Sequence, residues 1–453
     1  MDRRQFLKTT SAAVAAAGVG AAPWRSALAQ GTGPIKIGLM APLTGVVASG
    51  GKEMVEGVQF YLDQVKNEMG GRKVELVVED DGGNPDTALQ KARRLVEQAN
   101  CNILYGNLLA NTGLAVANYV KGNGVPYFIP IIAADDLTQR ARIKNVVRVA
   151  GYTASQFTHP LGDWALKQGY KKIATVSQDY TFGHEQCAGL AQVFTEGGGQ
   201  IVQQFWHPLN TADFSPYLGQ LADLNVDAVF AMETGADSTR FIQQYASFGL
   251  KGKTPLLMAM NGTDQSVIRT MGDEAEGIIA PAHFAEGSDN PVTAKFVKDY
   301  EAKYGKIPSL YGFSMYSGMM WIDAALKKIG GKVEDRDLFI DTVLKTELDN
   351  SPLGKAVKFD AYGNPIYDVY IRKVTKRADG KFWNVPIQTY PNVSQFFTYD
   401  PETYMKQPAY SRSFQGIKKA GCFLTSPLRG EVDRRSRAGE GALRSGSACG
   451  APT

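Results

Sequence analysis

Few of the side chains able to do covalent or acid–base chemistry stand in a spacing that would use them. The four histidines, His159, His184, His207 and His283, are scattered, with no H-E-x-x-H pair and no nucleophile–base order around them. Cys101 and Cys187 lie in the body of the chain and Cys422 and Cys449 near its end; none forms a C-x-x-C or a Cys/His spacing suited to zinc. Cys101 reads as a buried structural thiol, and a Cys101–Cys187 disulfide stays open for a chain in an oxidising compartment. Gly197-Gly198-Gly199 joins a helix to a strand, the wrong order for a phosphate cradle, and reads as a turn. These residues predict no catalytic group, no metal and no cofactor. What remains is suited to holding a ligand. Thr112 opens a helix after the loop Gly106–Asn111 that follows the apolar run Ile103–Tyr105, either as its N-cap or beside free N–H groups that could take a carboxylate.

The elements that must position such groups alternate along the chain. Apolar runs at Ile35–Met40, Val74–Glu79, Ile103–Tyr105, Pro126–Ile129, Ile173–Val176, Ile201–Phe205, Ala228–Met232 and Leu256–Met260 read as strands. Amphipathic stretches between them read as helices. The first carries Met54, Val58, Tyr61/Leu62, Val65 and Met69 at helical spacing and is stopped by Gly70-Gly71; the second starts at Asn84-Pro85, with proline at the first helical position. Further helices fall near 112–122, 155–168, 183–196, 214–224, 237–248 and 265–271. This alternation predicts an α/β fold with parallel, doubly wound sheets, and too many units for one sheet of ordinary size. After Ile278-Ile279-Ala280 two longer helices follow, at about 290–304 and 311–329. Val357–Phe359 and Val369–Arg372 then read as antiparallel strands around the turn Tyr362-Gly363-Asn364-Pro365.

The two ends differ from the body. Arg3 and Arg4 precede a small-residue apolar run from Ser11 to Ala22 and an Ala27-Leu28-Ala29 cleavage pattern, which together predict an export signal over 1–29. The run is too short to span a bilayer, which needs about 20 residues. The arginine pair is similar to a twin-arginine signal, with ordinary secretory export as the other route. From about Leu424 the chain turns to Gly, Ser, Ala and Arg, a composition that predicts a disordered tail over 424–453. The formal net charge of +4 also sits at the ends: Arg3, Arg4, Lys8 and Arg25 against Asp2 give +3, five arginines against three acids after Ala420 give +2, and the body is left at −1. A body so nearly neutral excludes nucleic acid as a partner.

The ordered set Ile35-Lys36-Ile37-Gly38-Leu39-Met40-Ala41-Pro42-Leu43-Thr44-Gly45, Gly57, Val78-Glu79-Asp80-Asp81 with Asn84-Pro85, the Gly106 loop, Val125-Pro126-Tyr127-Phe128, Asp179-Tyr180-Thr181-Phe182-Gly183 and Phe359–Pro365 resembles the type I periplasmic binding proteins. The likeness is to the branched-chain-amino-acid group of ABC-transporter solute receptors, which includes aromatic-acid receptors, and it covers roughly 33–400. It implies two Rossmann-like lobes joined by three crossovers: an N-terminal lobe of 33–150 plus 281–345, a C-terminal lobe of 151–280 plus 346–400, and an extension over 401–423. It also implies a ligand in the cleft, hinge closure over it, a permease of the inner membrane as partner, and a monomer that is not an enzyme. A periplasmic sensor built on the same lobes is the alternative.

On this resemblance the loops after the strands carry the ligand contacts: Ala110, Asn111, Thr112, Ile131, Ala133, Tyr180, Phe182, Glu233, Thr234, Asn261 and Tyr311. Three of them depart from what amino-acid receptors carry. Ala110 stands where a serine is usual, Phe182 where tyrosine is frequent, and Asn261 near the acid that pairs with the ligand's ammonium. A buried ammonium without a carboxylate costs several kcal/mol, and Glu233, Asp237 or Asp264 would have to compensate. The departures favour an apolar carboxylate, an aromatic acid such as a benzoate, over an amino acid, with branched-chain amino acids as the alternative.

Overall fold

The computed structural model describes residues 33–418. The export signal, the tail beyond Leu424, and Cys422 and Cys449 lie outside the described residues. A first sheet is built from β1 (Ile35–Ala41), β2 (Glu68–Met69), β3 (Arg72–Asp80), β4 (Ile103–Gly106), β5 (Tyr127–Phe128) and β6 (Val146–Val147), in the order β2-β3-β1-β4-β5-β6. All neighbours are parallel except β2 and β3. Its helices are α1 (Ala48–Gln64), α2 (Pro85–Arg93) and α3 (Ala110–Asn123). Helix α1 ends at Gln64, well before Gly70-Gly71, because Lys66 and Asn67 already take left-handed backbone conformations that turn the chain into β2. Asn84 caps α2 as its sequence predicts, accepting from the amides of Asp86 and Thr87 at 3.0 Å each.

The second sheet holds β7 (Lys172–Gln178), β8 (Gln200–His207), β9 (Ala228–Met232), β10 (Leu256–Met258), β11 (Ile279–Ala282), β12 (Lys358–Phe359), β13 (Pro365–Lys376) and β14 (Phe382–Val393). The order is β12-β13-β11-β10-β9-β7-β8, with β14 added on β13. Strands β7 to β11 are parallel, and β12, β13 and β14 run antiparallel to their neighbours. Helices α4 (Ala154–Lys167), α5 (Thr181–Glu196), α6 (Ser215–Ala222), α7 (Ala236–Ser247) and α8 (Gln265–Ile268) belong to this part of the chain. The chain then returns to the first sheet's side. There α9 (Pro291–Tyr304) and α10 (Leu310–Lys328) pack on α1 through Phe60 against Phe296 and Tyr300, and through Tyr61 Oη donating to Asp323 at 2.6 Å. In α11 (Arg336–Leu344), Phe339 meets Phe128 edge-on.

The chain therefore passes between the two sheets three times: before α4, after β11, and between α11 and β12. The long strand β14 has no counterpart among the sequence expectations. Its Pro386 and Pro391 argue against a strand, yet among the described residues β13 is the one strand that β14 pairs with, and an edge strand tolerates proline. A last helix, α12 (Pro401–Met405), is tied back by Arg140, whose guanidinium donates to the carbonyls of Tyr404 and Gln407. Cys101 and Cys187 are both buried and both free; the first lies just before β4 and the second in α5.

Candidate ligand-binding site

Each sheet has one point where its strand order reverses, between β1 and β4 in the first and between β7 and β9 in the second. Loops leaving the carboxyl ends of strands at such points open a crevice. Gly106 makes the first turn possible: its φ is +111°, and a Cβ there would stand 2.3 Å from the Met40 carbonyl. The chain then enters α3 at Leu109, which carries no side-chain cap, so the helix starts with unclaimed amides at Ala110 and Asn111. Helix α5 likewise starts after Tyr180 without a side-chain cap.

Between these loops lies a narrow cavity lined by Leu108, Ala110, Ile131, Ala133, Tyr152, Tyr180, Phe182, Thr234 and Asn261. Seven of them are residues that the sequence singles out. Leu108 and Tyr152 are additions. Tyr152 sits in the first crossover, in the loop between β6 and α4; β6 has no counterpart among the sequence expectations, so nothing in the sequence marks this residue, and its ring packs on Phe157 and His283. Asn261 donates from Nδ2 to Tyr311 Oη at 2.9 Å, so Tyr311 stands directly behind the lining. Tyr180 Oη and Thr234 Oγ1 lie 3.4 Å apart, and burial pushes the Tyr180 and Tyr152 hydroxyls far up in pKa, so both stay protonated.

Three expected contacts do not face this cavity. Asn111 is half-buried and accepts from the Thr112 amide, and Thr112 is fully buried, donating its hydroxyl to the Leu109 carbonyl instead of capping the helix. Glu233 follows β9 immediately, and successive residues of an extended chain point to opposite sides. Thr234 takes the cavity side. Glu233 turns away to accept from His207 Nε2 at 2.9 Å, with burial pushing its carboxyl up to about 7 against that bond.

The other acids that could serve an ammonium are also engaged. Asp237 accepts from Gln178, from the Asn210 amide and from Arg240. Asp264 accepts from the Ser266 and Leu310 amides at 2.8 and 2.6 Å. His207, Glu233 and Asp237 bring ligand atoms within 4.8 Å of one another, the one such metal-capable group among the described residues, but the arginine and the amides already hold Asp237. No charged side chain lines the cavity.

Two buried arginines set the walls. Arg148 donates to the carbonyls of Ile132, Ala134 and Tyr152, which fixes the loop carrying Ile131 and Ala133; burial pushes its pKa down to about 10. Arg372 donates to the carbonyls of Phe284 and Met260 and to Thr263 Oγ1, which fixes the loop carrying Asn261.

Residues 34–381 match the periplasmic binding protein family, and residues 1–20 match the twin-arginine translocation signal sequence. The chain belongs to the periplasmic binding proteins. It is 30% identical over 362 residues to the Leu/Ile/Val-binding protein homolog 6 of Brucella melitensis, covering 79% of this chain and 91% of that one. A solute-binding protein of an ABC transporter from R. palustris, solved in complex with benzoate, superposes with a TM-score of 0.75 at 27% identity, over 80% of this chain and 98% of that one. A second, from Rhodopseudomonas palustris BisB5 in complex with 3,4-dihydroxybenzoic acid, gives 0.75 at 29% identity with the same coverage. This periplasmic binding protein has the type I fold, is exported to the periplasm, and is a solute-binding subunit of the ABC-transporter kind.

Proposed function

We propose that the solute is an aromatic carboxylate, held between the lobes by hinge closure and handed unchanged to an inner-membrane permease by a monomer that carries out no reaction. The observation that carries this reading is the lining itself. It combines aromatic rings, apolar side chains and neutral hydrogen-bonding groups with two uncapped helix starts, and holds no carboxylate for an ammonium. The acids nearby are committed to His207, Arg240 and backbone amides. The named complexes of the R. palustris relatives support the same class. The name of the Brucella relative favours a branched-chain amino acid, the second reading.

Calorimetric titration of the mature protein separates the two. Benzoate-type acids are expected to bind, and leucine and valine to give no heat. Tight leucine binding with no response to aromatic acids would sink the proposal. Recovery of the bound acid unaltered by chromatography checks that no reaction occurs, and size-exclusion chromatography checks the monomer.

A further inference from the structure

One polar pair at the cavity wall, Asn261 in the lining and Tyr311 directly behind it, is only half used. Asn261 is 5% exposed and lines the cavity, and its amide makes a single side-chain bond, Nδ2 to Tyr311 Oη; Oδ1 is buried with no partner. Tyr311, 2% exposed, accepts that bond and so has its own proton left to give. A buried amide oxygen and a buried phenol proton without partners are costly, so the site is complete only when a ligand group meets them.

We propose that Asn261 and Tyr311 read a hydroxyl on the ligand, so that this chain selects a hydroxylated aromatic acid over its unsubstituted parent. This rests on the aromatic-carboxylate reading and narrows it. The pair offers one acceptor and one donor. It does so whichever way the amide lies: turned over, Asn261 would accept from Tyr311 and present Nδ2 as donor beside a free lone pair on Oη. A carboxylate only accepts and an ammonium only donates; a hydroxyl does both. The ligand's carboxylate is left to the uncapped starts of α3 and α5, at Ala110 and Phe182.

The test compares affinities for benzoate and for its 2-, 3- and 4-hydroxy isomers in the mature protein, in Asn261→Leu and in Tyr311→Phe. The wild-type protein is expected to bind one isomer about 10- to 100-fold tighter than benzoate, the range set by leaving buried polar groups unpaired. That ratio is expected to fall to within about threefold in Asn261→Leu and to an intermediate value in Tyr311→Phe. The readout is the ratio within each protein, so neither variant has to keep its absolute affinity, and the isomer panel on the wild-type protein stands even where a variant fails to fold. If benzoate binds and no hydroxy isomer exceeds it, the hydroxyl reading is wrong and the aromatic-carboxylate reading survives. A ratio unchanged in both variants also overturns it. If no aromatic acid binds while leucine does, both readings fall together.

Discussion

The two walls of the cavity are made differently. The wall from the first sheet presents Leu108, Ala110, Ile131 and Ala133, with no side-chain hydrogen-bonding group among them. The wall from the second presents Tyr180, Phe182, Thr234 and Asn261, two rings and three polar side-chain groups. The first wall can act on a ligand through shape and through the backbone amides that begin α3; the second can distinguish one functional group from another. A binding protein built in this way needs both halves at once, because neither wall alone both encloses a ring and reads its substituents.

The walls also share a device, and breaking it gives the largest expected effect. One loop of each wall is held by a buried arginine, Arg148 for the first wall and Arg372 for the second. Arg148→Met leaves the Ile132, Ala134 and Tyr152 carbonyls without their donor and unbalances the buried carboxyls of Asp135 and Glu185 nearby. A loss of about 3–5 kcal/mol in urea denaturation is expected. Arg372→Met, with two carbonyls and one hydroxyl to lose, is expected to cost less. Equal losses would mean that the loops are held mainly by packing.

Next in size is an acid effect at the crossover that joins the walls. His283 is fully buried between Tyr152, Phe157, Phe313 and Tyr367, and burial, helped by Arg372, pushes its pKa down to about 3. The unfolded chain takes up a proton below about 6.5 and the folded chain does not until about 3, so stability is complete above 6.5 and is lost as the pH falls between those values. The expected slope is about 1.4 kcal/mol per pH unit from this residue, with His159, also pushed down to about 3 by burial, adding its own share. Urea denaturation at neutral and acid pH, with His283→Phe flattening the dependence, checks it.

The sequence made the sheets legible because strands such as β1, β4 and β9 are mostly apolar runs, and the loops after β4, β7 and β9 bring Leu108, Ala110, Tyr180, Phe182 and Thr234 to the cavity. It could not show Tyr152, because β6, the strand it follows, is only two residues long and carries no apolar run to mark it. Glu233 and Thr234 were indistinguishable as neighbours; the pleat separates them, and only the backbone at the end of β9 says which one turns inward. Asn111 and Thr112 looked like ligand donors, but α3 begins at Ala110, and one turn of helix moves their side chains off the cavity. The whole of β14 was hidden by its two prolines, which count against a strand anywhere except on an edge.

A smaller effect tests whether the walls must meet. The Ala236 amide of the second wall's loop donates to the Val46 carbonyl across the cleft at 3.2 Å, and Gly235 beside it has φ +65°. A Cβ at Gly235 would stand 2.4 Å from that carbonyl, so Gly235→Ala obstructs closure. The backbone at Gly235, φ +65° and ψ −138°, suits glycine, so alanine costs about 1–3 kcal/mol in open and closed forms alike, read in the melting of the ligand-free protein. The obstruction is read only in ligand binding, as an affinity about tenfold weaker, or about 1.4 kcal/mol. Equal affinity would show that the lobes need not close at this point.

Phe182→Tyr gives the smallest shift and bears on the second wall alone. The ring is 5% exposed, lines the cavity, and lies 6.2 Å from Tyr180, so a hydroxyl added there enters a corner that already holds the Tyr180 and Thr234 hydroxyls. If that corner receives the ligand's carboxylate at the start of α5, the new donor strengthens aromatic-acid binding by up to about 1 kcal/mol. If the ligand's ring packs flat against Phe182, the added oxygen takes its space and affinity falls by a similar amount. The sign, measured by titration, therefore says which part of the acid the second wall holds at α5, and a gain is expected, because α5 starts without a side-chain cap on its amides.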